Sequence, residues 1–413
     1  MRRLSANKVI LLAIFAFSAV MANAADWPQW RGLQRDGVTS ETIATNWPAG
    51  GPHQLWSTNV GVGHAPVSIA GTRAITLGHT GQNDRVWCFH ATDGRVLWQF
   101  DYPAIARCPG EYGNGAFDGP HAAPTISGTN VFTFSRDGKI FCFDLATGAQ
   151  RWTRDLCADL KAKMPECGFA SAPLVRDGVV FVNVGRNGTA LDAATGATRW
   201  QSGTDMAGYA ALALDEADAA QRRLLVFGAK ALYSVNPADG QTNWSLAWPT
   251  QWGDNTVDPM VIGDGIFITT AYGRGCAWLD ARTGAVRWQN KNLSAQCSPP
   301  VLRDGSLFGF DGYINYAPGQ ALVCLNPQTG AIKWRKDKLA GQMILAGDRL
   351  VLALTTGELV LARATPEAYS EIVCARLFSA EQCPVPPVLA NGRLYCRNGA
   401  GHLICLDVAP VVF

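Results

Sequence analysis

The sequence predicts an all-β fold, an eight-bladed β-propeller of four-stranded antiparallel blades closed by an N-terminal strand, with seven blades as the alternative count. Three observations predict it. A Thr-Gly or Asp-Gly pair followed by three residues and a Trp occurs six times: Gly94 to Trp98, Gly148 to Trp152, Gly196 to Trp200, Gly240 to Trp244, Gly284 to Trp288 and Gly330 to Trp334. The copies recur every 44 to 54 residues, a period that belongs to propeller blades and other stacked arrays. The composition agrees: charged residues are 16% of the chain, with 43 glycines and 14 tryptophans, which suits turn-rich strands with aromatic packing better than helices.

Residues 1–24 read as a signal peptide, with Arg2, Arg3 and Lys8 before the apolar run Val9 to Val20 and a small-residue cleavage site at Ala22-Asn23-Ala24. No later stretch reaches the length of a membrane span, and no cysteine stands near the cleavage site, so no membrane anchor is expected. Residues 25–52, containing Asp26-Trp27-Pro28-Gln29-Trp30-Arg31-Gly32, read as an irregular segment laid on the main body. Residues 53–413 then form a single propeller domain.

The second copy shows how a blade is built. Thr125-Ile126, Val131 to Phe134, Ile140 to Phe143 and the stretch around Trp152 are short apolar strands, and Gly128, Asp137-Gly138 and Thr147-Gly148 are tight turns between them. An Asp, Asn or His stands four residues before each repeat Gly, where its side chain can bond backbone N–H groups while Gly takes the left-handed conformation. Trp at a constant offset from that turn falls on a constant face of the last strand, where it packs on a neighbouring blade. The seventh copy, 341 to 376, keeps its turns and loses the Trp, and the eighth, 383 to 407, holds only three strands. The orphan strand at Leu55-Trp56 supplies what the eighth lacks, which closes the ring and removes its free edges. Trp56, Trp98, Trp152, Trp200, Trp244, Trp288 and Trp334 are therefore structural residues.

Twelve cysteines in an exported chain make disulfides reasonable. Cys88, Cys142, Cys324 and Cys405 sit in strand register as small buried hydrophobes. Cys157 with Cys167, and Cys374 with Cys383, flank short connections and are expected to form loop-closing disulfides.

The formal net charge of +2 offers no basic stripe for nucleic acid. No metal site, Walker loop or nucleophile elbow is present as a motif. Connections leading into the first strand of each blade face one mouth of the channel, and there His64, His121, Ser171, Tyr209, Asn255, Ser298 and Gln342 form a ring of neutral hydrogen-bonding groups able to hold a small polar ligand. His64 and His121 equally suit a capping role at strand entrances. Two polar clusters, Glu111 to Asn114 with Asp118 and Trp252 to Asn255 with Asp258, read either as solvated turns or as oxygen donors for a hard cation.

On the six Gly-to-Trp phrases, on Ile140 to Gly148 and on Leu322 to Gly330, the chain resembles the quinoprotein-type β-propeller family, whose repeats are named for pyrroloquinoline quinone, over residues 53 to 407. Asp26 to Gly32 is similar to the start of an exported bacterial subgroup with this propeller. The resemblance implies two functions. One is a non-catalytic exported scaffold, like the family's outer-membrane assembly propellers, acting in the periplasm or outside the cell as a monomer without a resident cofactor and binding an envelope or secreted protein, a peptide or a small polar ligand. The other is a pyrroloquinoline-quinone-dependent oxidoreductase of alcohols or sugars, using calcium, with Asp254 or Asp258 as catalytic base. The family's enzymes often stack the quinone on a disulfide between adjacent cysteines, and this chain has no adjacent cysteines and no Cys-x-x-Cys-His haem motif. The scaffold is the reading favoured.

Overall fold

Asp-Gly, Asn-Gly and Thr-Gly turns set the strand boundaries in the computed structural model, which describes residues 25–105, 107–108, 117–218, 221–313, 319–380 and 384–410. The signal-peptide stretch, Glu111 to Asn114 and Cys383 lie outside the described residues. The strands form eight antiparallel sheets, so the ring has eight blades and not seven. The innermost strands are Ser68–Ala70, Thr125–Ser127, Leu174–Arg176, Ala213–Asp215, Met260–Ile262, Val301–Arg303, Gly341–Ala346 and Val388–Ala390. His53–Asn59 is the outermost strand of the last blade and pairs antiparallel with His402–Asp407, placing Trp56 opposite Cys405.

The repeated phrase is the two halves of one contact between blades. Each repeat Trp lies opposite the residue six before the repeat Gly, as Trp98 opposite Cys88, Trp152 opposite Cys142 and Trp334 opposite Cys324, with a register shift just before the Trp. That bulge re-aims the ring toward the following blade. There the indole covers the turn glycine: a Cβ built on Gly94, Gly148, Gly196 or Gly240 would fall 2.6–2.8 Å from Trp56, Trp98, Trp152 and Trp200 in turn. The same indole N–H donates to a backbone carbonyl of that blade, Trp56 to Ala91, Trp98 to Leu145, Trp152 to Ala193, Trp200 to Pro237 and Trp334 to Thr365, at 2.9–3.1 Å. Burying such a ring at each seam is worth a few kcal/mol. Blade seven breaks the series, with Val373 opposite Leu361 where a Trp would stand.

The turns close as their chemistry requires. Oδ1 of Asp144 accepts from Ala146 N, Thr147 N and Thr147 Oγ1, and Gly148 N donates to Asp144 O at 2.9 Å. Asp192 and Asp280 repeat the arrangement. The Arg151 guanidinium, together with these donors, holds the Asp144 carboxyl down at about 2.

The N-terminal segment crosses one mouth of the channel and ties blades together. Trp27 exchanges backbone bonds with Ile69, and Pro28 O accepts from Ile126 N. Arg35 donates to Pro173 O, Arg31 to Pro300 O, Gly37 O accepts from Leu345 N, and the Glu41 carboxylate accepts from Asn391 N and Gly392 N. These partners belong to blades one, two, three, six, seven and eight. Val38–Thr39 adds a parallel strand to Gly341–Ala346. Arg31 is buried by this crossing, 8% exposed.

Among the described residues the one helix is Leu156–Leu160, begun by Asp155 accepting from Ala158 N at 2.9 Å. No helix there is long and apolar enough to cross a membrane.

Candidate functional site: a blind pocket at the channel mouth

With one mouth sealed, the channel keeps a recess of about 150 Å³ that opens at the other. Its lining comes from the innermost connections and from the sealing segment: Trp30, His64, Phe117, His121, Glu166, Cys167, Tyr209, Trp252, Asp254, Asp258, Tyr272, Gln296, Cys297 and Gln342 are among its walls. Prolines that cannot donate to a ladder lead into the first strands at Pro66, Pro124, Pro173, Pro259, Pro300 and Pro387, which frees the residues before them to face the axis.

Four of the seven residues expected at the mouth line this recess, His64, His121, Tyr209 and Gln342, and so do the two candidate bases Asp254 and Asp258. Asn255 does not. It is fully buried, its amide donates to Gly228 O and Trp248 O, its side-chain oxygen accepts from Thr270, and its backbone O accepts from Tyr209 N and Ala210 N, so it splices two blades. Ser171 and Ser298 are also buried, behind wall residues Ala170, Ala172 and Cys297, and their hydroxyls have no hydrogen-bond partner. Alternation along the chain decides this: a one-residue change of facing turns a side chain from channel to core.

Asp258 is tied to the seal. Its Oδ2 accepts from Trp30 Nε1 at 2.5 Å and its Oδ1 from Ala211 N at 2.8 Å, with the Arg31 and Arg35 guanidinium groups close behind. Burial raises its carboxyl above the usual range and the two arginines oppose that. Asp254, half-buried, accepts from Tyr272 Oη at 2.6 Å. Burial raises it too, and the charge of Glu166 adds to the rise against the Tyr272 bond.

Across the recess, the His64 and His121 rings lie tilted at 36° with centroids 5.0 Å apart, and His121 Nε2 bonds Phe117 O at 2.9 Å. Burial, with the Arg136 guanidinium, lowers His121 to about 4, and burial with His121 and Arg397 lowers His64 well below its ordinary value. Both rings are neutral near pH 7. Cys297, held at φ +56°, donates its N–H to Thr256 and accepts from Gln342 Nε2 at 2.7 Å; burial and the Asp254 charge push its thiol up to about 12, so it is no thiolate nucleophile.

The disulfide pairing differs from the sequence expectation. Cys167 bonds Cys108, 59 residues away, with Cα atoms 4.7 Å apart, while Cys157 and Cys374 are free thiols. The connection after blade one lies against the connection after blade two, so neighbours in space outrank neighbours in sequence. Cys157 instead packs its sulfur against Gly138.

Trp30, Glu166, Tyr272 and Cys297 went unselected in the sequence, and Trp252 was named only as the start of a polar cluster. Trp30 reaches Asp258 across 228 residues, a juxtaposition no local pattern carries.

These features define a closed propeller with a blind mouth pocket. The chain belongs to the family whose model is described as "Outer membrane protein assembly factor BamB", which matches residues 82–336. A protein of that name from Bordetella pertussis is 25% identical over 183 residues, 42% of each chain, so the match spans less than half the length of that relative. Among solved structures, BamB from Moraxella catarrhalis superposes with a TM-score of 0.62 at 17% identity, covering 86% of this chain and 99% of the other. Quinohemoprotein alcohol dehydrogenase from Comamonas testosteroni superposes with a TM-score of 0.70 at 14% identity, covering 95% and 82%. At these identities the structures speak for the fold.

The residues present do not fit a calcium-held pyrroloquinoline quinone. The Asn255 amide is consumed by backbone carbonyls, and both Asp258 oxygens are taken by Trp30 and Ala211. Asp254 and Glu166 would repel a polycarboxylate cofactor. Cys167 joins a distant cysteine, not an adjacent one. Among the described residues, no three His, Cys, Asp or Glu side chains converge as metal ligands.

Proposed function

We propose that this chain is an exported, non-catalytic propeller that binds a protein or peptide of the envelope or the extracellular space in its mouth pocket, as a monomer in the periplasm or outside the cell. The observation that carries the reading is the pocket itself: a recess walled by Trp30, Phe117, Tyr209, Trp252 and Tyr272, blind at its floor, in which the thiol is protonated and the histidines are neutral. Concave aromatic walls with a few polar groups are the usual form of a binding site. The family and its relatives named as outer-membrane assembly factors support a partner in the envelope. The apolar leader at Val9 to Val20 supports export.

A photo-crosslinking residue in place of Trp252, which is 48% exposed at the rim, tests this in the producing cell. The expected result is a covalent adduct with one envelope or secreted protein, absent when the crosslinker stands at Arg282 on the outer turn of blade five. Lack of any adduct specific to position 252 would overturn the reading. Dye-linked alcohol oxidation by the purified protein, after incubation with pyrroloquinoline quinone and calcium, would put the dehydrogenase in its place.

A further inference from the structure

The charges around the pocket do not balance locally. At the floor, Asp258 is answered by Arg31 and Arg35. On the wall, Asp254 has Tyr272 as its hydrogen-bond donor and a second carboxylate, Glu166, as its charged neighbour, and among the described residues neither forms an ion pair. Two like charges on a partly dehydrated wall repel, which marks a place where a cation lowers the energy. Aromatic side chains line the same recess, Tyr209, Trp252 and Tyr272. Ring faces attract ammonium and guanidinium groups through their quadrupoles, most strongly where water is excluded.

The opposite wall carries the other sign. Buried Arg397 lies behind His64 and His121 and depresses both rings, as does buried Arg136, whose Nε donates to Cys167 O, one residue from Glu166. A cationic group is thus directed to the Asp254 side.

We propose that the pocket receives a basic side chain, lysine or arginine, of a partner polypeptide, with the cation against Asp254 and Glu166. This rests on the binding function proposed above and names the chemistry of the partner. A recess of about 150 Å³ takes one long side chain and not a helix, whose diameter is roughly 10–12 Å.

Isothermal titration calorimetry on the purified protein tests it with capped Gly-Gly-Lys-Gly-Gly, the same peptide with norleucine for lysine, and spermidine as a free amine. The expected result is at least a tenfold preference for the lysine peptide over norleucine, weakening with salt and collapsing toward unity in Asp254→Asn. That variant keeps an acceptor for Tyr272, and an unchanged melting temperature shows that it is folded. Glu166→Gln, at an exposed position, is expected to reduce the preference several-fold. Equal affinity for the two peptides, absence of binding by either, or an undiminished preference in Asp254→Asn would overturn the proposal. Spermidine binding as tightly as the lysine peptide would overturn the polypeptide as the source of the cation. A crosslinked partner at position 252 together with equal peptide affinities would leave the binding function standing and sink the basic side chain alone.

Discussion

The ring of Trp–Gly seams and the mouth pocket are built from the same blades under opposite rules. Along the seams, Trp56, Trp98, Trp152 and Trp200 meet Gly94, Gly148, Gly196 and Gly240 in the same way, and the indole N–H finds a backbone carbonyl each time. At the mouth, corresponding positions hold His64, His121, Ser171, Tyr209, Asn255, Ser298 and Gln342, no more than two alike, and some face the axis while others turn into the core. A seam is one packing contact copied from blade to blade, kept even at Trp244 and Trp288, whose indole N–H groups have no hydrogen-bond partner. A pocket needs each wall to differ, because a ligand has no eightfold symmetry.

Breaking a seam should therefore cost stability and leave the pocket's chemistry alone. The largest effect is expected for Trp56→Ala and Trp200→Ala, each lowering unfolding stability by about 3–5 kcal/mol in urea titrations. The two should be equal, since both rings are 8% exposed and both donate to the next blade. Parity between Trp56→Ala and the parent would refute closure by the first strand.

Gly148→Ala comes next, at about 2–4 kcal/mol: its Cβ would sit 2.6 Å from the Trp98 ring, at φ +73°. Gly203→Ala is the control, with a similar φ of +90° and nothing within 4 Å of the new Cβ, so only the backbone term of about 1 kcal/mol is expected. Equal losses at both would show that the indole contact adds nothing.

The histidines sharpen the comparison from the pocket's side. His121 is lowered to about 4 and His64 is lowered as well, so the unfolded chain, titrating near about 6.5, binds more protons than the folded one in between. Their contribution is present in full above about 6.5 and is lost as pH falls toward 4. The melting temperature should drop over that window, and His121→Asn should flatten the slope. The smallest effect is expected at Trp252→Ala, below about 0.5 kcal/mol in stability because the ring is 48% exposed, with the loss appearing instead in peptide affinity by calorimetry.

The seams were legible in the sequence because they repeat. Gly and Trp four residues apart, six times, specify turn, bulge and facing at once, and the missing strand of blade eight pointed to Trp56 as its replacement. The pocket was legible only in part. The connections that line it could be named from the repeat, which brought in His64, His121, Tyr209 and Gln342. Facing could not, so Asn255, Ser171 and Ser298 were placed on the axis and stand in the core. Trp30 and the Cys108–Cys167 bond escaped because both depend on aperiodic chain crossing between blades, where sequence distance carries no spatial information.

Pairing of the strand around Trp56 with the one around Cys405 has a consequence in time. The first blade strand to leave the ribosome is the last to find its place, since its partner is synthesised nearly a whole chain later. Contacts this distant form slowly, and until then both ends of the array expose bare strand edges. On the export proposed above, the last sheet is completed only after translocation has ended, on the side where the chain arrives.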